Sequence, residues 1–182
     1  MKTGPVDVMI DQWANERPDL DSSSLGVLAR ISRLARVAEE NADKVLNRFD
    51  LSGVEFHLLA AIRTAPDHRP SPRDLLGPLM VSSGGLTNRI DRLEKANLVE
   101  RIANPEDRRG VLLQLTEKGR GVVDKVTTEY LANQNQVLDD ALAEGERETL
   151  SRLLRKLLAS MVEAGGDRSP GSAPIPDRIA SA

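Results

Sequence analysis

Apolar residues recur at spacings of three and four along most of the chain, which is the period of an amphipathic helix. The first such segment, residues 6–17, predicts a short helix that ends before Pro18. The second, residues 24–49, predicts a longer helix preceded by serines that can cap it. Ser52 followed three residues later by Glu55 is a capping box, which predicts the start of a third helix.

Two further helices, with a tight turn between them, are predicted in the middle of the chain. The first is short, residues 73–79, and follows Ser71 and Pro72, a capping residue and a proline at the first helical position. The sequence VSSGG, residues 81–85, consists mostly of small residues and predicts the turn. The helix after it has a polar face and an opposite apolar face, formed by Leu86, Ile90 and Leu93.

After residue 97 the helical period stops. Residues 98–102 and 111–115 are short runs rich in β-forming side chains, and the loop between them contains Pro105 and Gly110. This pattern predicts a β-hairpin. Its tip carries two adjacent arginines that no core can use, Arg108 and Arg109.

Two more helices are predicted in the C-terminal part of the chain. Thr116 can cap the first, which extends to about residue 142, and the second begins near Glu144. The second helix has an apolar stripe at helical spacing, formed by Leu150, Leu153, Leu154, Leu157, Leu158 and Met161. The stripe is equally consistent with an intrachain core and with a subunit interface. From Gly165 onward the chain holds three of its ten prolines and is predicted to be disordered.

Composition narrows the fold and the chemistry. A chain of 182 residues suits one domain, or a subunit whose core a partner completes. Hydrophobic residues make up 40% and aromatics only 2%, which favours helices packed through aliphatic side chains. Cysteine is absent, which excludes disulfides, thiolate zinc sites, cysteine nucleophiles and a cysteine-based redox sensor.

The net charge of the chain does not show whether its partner is a nucleic acid. A net charge of -3 and a pI of about 5.5 argue weakly against nucleic acid. Exposed charges are screened over roughly 10 Å, so the local position of the arginines carries more information. Residues 86–109 contain six basic and five acidic side chains, so charge alone does not distinguish a binding face from a solvated one.

The order of the predicted elements is more informative. A helix, a tight turn and a polar-faced helix are the parts of a helix-turn-helix, whose second helix enters the major groove. The arginine-tipped hairpin follows directly after it. Hydroxyl, amide, carboxylate and guanidinium groups could face base edges and phosphates there, from Ser82, Ser83, Thr87, Asn88, Asp91 and Arg92. Arg108 and Arg109 could reach phosphates or the minor groove. Asp107 could orient an arginine or cap its own loop.

Other function classes have little support in the sequence. The chain has two histidines, and it lacks a phosphate-binding loop, a dinucleotide fingerprint and a nucleophile elbow, so we expect no enzyme activity, metal site or cofactor. Asp7 and Asp11 interrupt the first apolar run, and no later run could span a bilayer, so we expect a cytoplasmic protein without a membrane partner. A winged fold that docks proteins instead of DNA is the alternative function.

The stretch MVSSGGLTNRIDRLEKANLVERIANPEDRRGVLLQLTEKGR resembles the winged helix-turn-helix of the multiple-antibiotic-resistance regulator (MarR) family. The most specific signatures are the aspartate and arginines of the hairpin and an L-T-x-x-G motif, here Asp107, Arg108 and Arg109, then Leu115, Thr116 and Gly119. The resemblance covers residues 24–163. It implies a mainly α, α+β fold with a small β-hairpin wing, and a homodimer that binds a palindromic operator and releases it when a small ligand binds.

The resemblance also implies a division of the chain. Residues 1–23 would form an extra helix and linker, and residues 52–115 the DNA-binding region. Residues 24–51 and 116–164 would form a helical dimerisation region, and 165–182 a disordered tail. A dimer also follows from the size of the site, because a two-fold pair of winged helices contacts half-sites roughly 34 Å apart, whereas one covers little DNA.

The N-terminal segment VDVMIDQWANERPDLD resembles the start of the PecS and urate-responsive branch of the same family. In that branch a tryptophan, an aspartate and two arginines surround an anionic purine. The corresponding positions here are Trp13, His57, Arg89 and Arg101, with histidine in place of the aspartate. The resemblance thus implies an anionic aromatic or purine-like effector, and a different or pH-dependent ligand if His57 takes part.

Each of these positions has a plainer interpretation. Trp13 could be a core anchor for the first helix, and His57 an ordinary hydrogen-bonded surface residue. Arg89 could contact phosphate rather than ligand. Alternatively, a ligand bound to Arg89 could shift its helix relative to the groove and so couple ligand binding to DNA release.

Overall fold

The computed structural model describes residues 4–107 and 109–164, so Arg108 and the tail predicted to be disordered lie outside the described residues. The described chain forms seven α-helices and one hairpin: α1 (Pro5–Glu16), α2 (Leu25–Leu46), α3 (Gly53–Thr64), α4 (Pro72–Leu79), α5 (Ser83–Lys95), β1 (Val99–Ala103), β2 (Val111–Leu115), α6 (Glu117–Ala141) and α7 (Glu146–Ala164). The expected mainly α fold with a small hairpin is confirmed.

The chain divides into two compact units, residues 1–44 and residues 45–182, with the boundary inside α2. In the first unit, Pro5 occupies the first turn of α1, and the Gly4 N–H donates to Asp7 Oδ2 at 2.7 Å. Asp7 also pairs with Arg30 of α2. None of the α1 residues is fully buried.

The core of the second unit is formed by side chains from the end of α2, from α3, α4 and α5, and from the hairpin and α6. As the low aromatic content predicts, its most deeply buried side chains are aliphatic: Leu46, Leu58, Leu59, Ile62, Leu86, Ile90, Leu93, Val99, Leu113, Val123 and Val126. The predicted capping box of Ser52 with Glu55 forms. Ser71 caps α4 as predicted, and it also forms a capping box with Asp74.

The turn before α5 is shorter than the sequence predicts. The expected turn over 81–85 is wrong in extent, because α5 begins at Ser83 and includes both glycines. Ser82 is the capping residue, and its hydroxyl accepts the N–H of Gly85 at 3.2 Å. The chain reverses earlier, at Met80, which has a positive φ of 50°.

The strands pair antiparallel, with Val99 opposite Leu115 and Ala103 opposite Val111. β1 begins one residue later than predicted because Leu98 closes the end of α5. The Leu98 N–H donates to the carbonyl of Leu93 at 2.9 Å, and Asn97 has a positive φ of 58°, the geometry of a helix-terminating Schellman motif. The Leu113 N–H donates to the carbonyl of Pro70 at 2.9 Å, which attaches the hairpin to the segment preceding α4.

Two other helix ends differ from prediction. The helix predicted over 24–49 ends at Leu46 and continues as one turn of 3₁₀ helix, Asn47–Phe49. The last helix begins at Glu146 rather than near residue 144, after Gly145, whose φ is 77°. None of the described helices has the length and apolar character needed to cross a bilayer.

Candidate nucleic-acid interface

Helix α5 has two distinct faces. Leu86, Ile90 and Leu93 are each 2% exposed and belong to the core cluster of the second unit. Because these positions follow a spacing of three and four, the helix presents the opposite side to solvent. The buried stripe therefore fixes which residues of α5 can meet another molecule.

The exposed side of the first two turns carries small polar side chains, from Ser82, Ser83, Thr87 and Asn88. The Thr87 hydroxyl donates to the carbonyl of Ser83 at 3.0 Å and keeps its acceptor capacity. The Ser82 hydroxyl accepts one bond from Gly85 and can still donate. These four residues lie together at the N-terminal end of the helix, where a helix-turn-helix contacts base edges.

Arg92, also assigned to the groove from the sequence, is 54% exposed but pairs with groups of the protein itself. Its Nη1 lies 3.0 Å from Oε1 and 3.2 Å from Oε2 of Glu55. Its Nη2 donates to the carbonyl of Asp50 at 3.1 Å and lies 3.3 Å from Oδ1 of the same residue. The guanidinium thus joins α5 to the start of α3 and to Asp50 before it, which argues against a role for Arg92 in the groove.

Asp91 and Arg101, assigned to DNA and to ligand respectively, are brought into direct contact. Arg101 of β1 donates from Nη2 to Asp91 Oδ1 at 2.5 Å, and its Nη1 pairs with Glu94. The hydrogen bond with Asp91 raises the pKa of the Arg101 guanidinium, and the negative charge of Glu94 raises it further. The wing strand therefore places one positive charge against both carboxylates on this side of α5.

The tip of the hairpin is organised by Asp107. Its Oδ1 accepts the backbone N–H of Arg109 at 2.9 Å, and its carbonyl accepts the N–H of Gly110 at 2.8 Å. Of the two roles considered for Asp107, the geometry shows loop capping. Arg109 is exposed, and within the described part of the chain its side chain makes no ion pair.

The remaining residues proposed for an effector occupy different settings. Trp13 lies on α1 in the first unit and is 48% exposed. In the second unit His57 is exposed on α3, with its ring 5.6 Å from that of Phe56. Arg89 is half-buried and donates to the carbonyl of Gly85 at 2.9 Å. Among the four positions, Arg101 alone has an ion pair in the described residues.

Two functional features were missed by sequence reasoning. Glu55 was recognised as a capping residue, but its burial and its contact with Arg92 depend on the packing of α5 against α3. Thr116 was expected only to cap α6. Its hydroxyl also donates to the carbonyl of Asn97 at 2.8 Å, which joins the start of α6 to the end of α5.

Residues 51–111 match the model of the MarR family, which covers α3 to the start of β2. The chain is 35% identical over 159 residues to the HTH-type transcriptional regulator PecS of Dickeya dadantii (strain 3937). This similarity covers 86% of the chain and 95% of that protein. The chain belongs to the MarR family.

Solved MarR-family structures share the fold. A mutant of MarR from E. coli, complexed with operator DNA, is 30% identical, with a TM-score of 0.65 over 80% of this chain and 97% of that one. AbsC, a MarR family transcriptional regulator from Streptomyces coelicolor, is 26% identical, with a TM-score of 0.71 over 79% of this chain and 97% of that one. This MarR-family protein is accordingly a winged helix-turn-helix transcriptional regulator and not an enzyme.

Proposed function

We propose that this regulator represses transcription by binding a palindromic operator as a homodimer, and that a small anionic aromatic or purine-like ligand releases it. The observation that carries the DNA-binding part is the arrangement of α5. Its core stripe turns Ser82, Ser83, Thr87 and Asn88 outward, where hydroxyl and amide groups can read base edges and phosphates.

The hairpin supplies the second contact. Arg109 is exposed at its tip and Arg108 is adjacent in sequence, so the wing can bring positive charge to the phosphates or minor groove beside α5. The operator complex of the E. coli MarR mutant supports this use of the fold, because that chain and this one share it at 30% identity.

The proposed dimer is supported by α7. Nearly all of this helix is exposed, including large apolar side chains along one stripe, at Leu150, Leu153, Leu154, Leu158, Met161 and Val162. An uncovered stripe of this length is unfavourable in water and is typical of a subunit interface. We assign this apolar stripe to the contact with a second copy of the chain. The second subunit would also supply the helix that binds the second half-site of the operator.

The proposed ligand response acts through Arg101. An anionic ligand that pairs with this guanidinium would compete with Asp91 and Glu94 and release two carboxylates beside the DNA-facing side of α5. Negative charge freed there disfavours a phosphate backbone. The similarity to PecS and the presence of Trp13, Arg89 and Arg101 support an aromatic or purine-like anion as the ligand.

The DNA-binding proposal is tested by operator titrations at several salt concentrations, using the DNA upstream of the protein's own gene. Replacing Arg108 and Arg109 together by alanine should weaken binding and reduce the salt dependence by roughly 0.9 in log–log slope for each phosphate contact that is removed. Arg152→Ala is the matched control, because Arg152 is exposed on α7 on the side away from its apolar stripe. Unchanged affinity and slope in the double variant would refute the wing contact.

The ligand proposal is tested by adding urate and other small aromatic acids to the protein and to its DNA complex. A ligand should raise the melting temperature of the free protein and weaken operator binding, since it binds the free form better. Arg101→Met should abolish both effects, whereas Arg152→Met should not. No response to any such anion would refute this part of the proposal. Failure to bind any upstream fragment would instead favour a winged protein-interaction module.

A further inference from the structure

Glu55 is the one buried charged residue among those that the structure describes, with 2% of its surface exposed. It stands at the third position of α3 as the acidic member of the capping box with Ser52. A capping box satisfies backbone donors at a helix start and does not require a buried carboxylate. The burial of this charge therefore calls for a further explanation.

Apart from Ser52 of the capping box, the Glu55 carboxylate has one polar partner among the described residues, Arg92. Its Oε2 accepts the Ser52 N–H at 2.9 Å and the Ser52 hydroxyl at 2.7 Å. The other contact is with Nη1 of Arg92, 3.0 Å from Oε1 and 3.2 Å from Oε2. A buried carboxylate is stable only when paired and hydrogen-bonded, and here the charge partner comes from α5.

Arg92 is held at its other nitrogen as well. Nη2 donates to the carbonyl of Asp50 at 3.1 Å, and Asp50 has a left-handed backbone, with φ of 54°. That conformation turns the chain between the 3₁₀ turn at Asn47–Phe49 and α3. The guanidinium is thereby fixed by two groups on separate segments, which restrains its position more than one surface ion pair would.

The contact between Glu55 and Arg92 lies on α5 close to the side chains proposed to face DNA. Asn88 and Arg92 are four residues apart, so they are neighbours on the helix surface. The aliphatic stripe of Leu86, Ile90 and Leu93 fixes which side of α5 faces the core. Apolar contacts are non-directional, so they set the exact rotation about the helix axis less sharply than a hydrogen-bonded ion pair does. The directional Glu55–Arg92 contact restrains that rotation next to the proposed DNA-facing side chains.

We propose that Glu55 is a positioning residue for DNA recognition, which acts through Arg92 to hold α5 at the rotation that presents Thr87 and Asn88 to the duplex. This inference rests on the proposed function and deepens it. It assigns Arg92 to the support of α5 and not to phosphate or base contact.

The test begins with Glu55→Gln. Glutamine is accepted at this position of a capping box, so the start of α3 is kept while the charge that holds Arg92 is removed. Operator affinity should fall about tenfold, the effect of losing one charge-assisted hydrogen bond. The salt slope of binding should stay unchanged, because every phosphate contact is kept.

Asp74→Asn is the matched control. Asp74 is the corresponding carboxylate of the capping box at α4, bonded to Ser71 N–H and hydroxyl at 2.9 and 2.7 Å, but it is exposed and pairs with no arginine in the described part of the chain. This variant should bind the operator at least as well as the wild type. An equal loss in both variants would mean that helix capping, and not the hold on Arg92, explains the effect.

Arg92→Gln and the double variant that combines it with Glu55→Gln complete a double-mutant cycle of operator affinity. The conclusion then does not depend on whether any one variant folds. If the two residues act through each other, the double variant should lose no more affinity than Arg92→Gln alone. A salt slope reduced by roughly 0.9 per subunit in Arg92→Gln would show a phosphate contact and overturn the inference. Additive losses, or full affinity in Glu55→Gln, would overturn it as well. If the wild type bound no upstream DNA, that result would refute the proposed function, and this inference would be refuted as well.

Discussion

A Cβ added at Gly119 would lie 1.8 Å from the carbonyl oxygen of Leu98. The first turn of α6 therefore packs directly on the backbone that follows α5. The same carbonyl accepts the Thr116 N–H at 3.1 Å, and the carbonyl of Ala96 accepts Lys118 Nζ at 2.8 Å. These contacts join the helix proposed to read DNA to the long helix that precedes α7.

Gly119→Ala should be strongly destabilising. No real Cβ fits at that separation, so the start of α6 must move away from Leu98 and break the hydrogen bonds of Thr116. The expected loss is about 3 kcal/mol, the upper range for overpacking, measured by urea denaturation. Gly121→Ala, two residues further along α6 with nothing within 4 Å of the added Cβ, should instead gain about 0.5 to 1 kcal/mol. Equal stability of the two variants would contradict the close packing.

The contact between Gly119 and Leu98 illustrates which features of the fold the sequence predicts and which it does not. The L-T-x-x-G motif is visible in the sequence, and Thr116 predicts the cap of α6. The reason for the glycine is a close approach between backbones from distant elements, which no local pattern specifies. Hydrophobic periodicity predicted the helices and the hairpin because burial imposes that period directly. The ends of α5 differed because side-chain caps at Ser82 and a left-handed Asn97 set them.

Arg101→Met should weaken operator binding even without ligand, because Asp91 and Glu94 would be left as unpaired negative charges on α5. Adding Asp91→Asn to that variant should recover part of the affinity, since it removes one of the two charges. The measurement is operator titration at fixed salt for the single and double variants. A double variant as weak as Arg101→Met would show that the carboxylates are not the cause.

The candidate site was less predictable than the fold for a physical reason. Sequence reasoning places a side chain on a face, so Asp91 and Arg92 were assigned to DNA by residue type, and Arg101 was assigned to a ligand by family resemblance. Which charge pairs with which depends on tertiary distances, and these placed Arg101 on Asp91 and Arg92 on Glu55. Ser82, Ser83, Thr87 and Asn88 are small and polar, so their assignment depended only on the orientation of α5, which the periodicity predicts.

The carboxyl of Asp21 should titrate below the ordinary aspartate pKa of 3.8. The Ser23 N–H donates to its Oδ1 at 2.9 Å, and this bond lowers the pKa because it favours the charged form. A lowered pKa contributes stability that is present above the unfolded value and is lost as pH falls through the folded value. Carboxyl NMR titration would check the midpoint, and a value at or above 3.8 would contradict the hydrogen bond before α2.

Leu158→Glu should separate the proposed dimer while each subunit stays folded. Leu158 is 65% exposed on α7, so a glutamate there costs the subunit little, whereas a carboxylate in an apolar interface would be buried without a partner. Sedimentation should show a shift from dimer to monomer at micromolar concentration, with an unchanged far-UV spectrum. Operator affinity should fall with it, because a monomer contacts one half-site. Arg152→Glu places the same side chain on the opposite side of α7 and should remain dimeric. If both variants stayed dimeric and bound DNA normally, the stripe on α7 would not be the subunit interface.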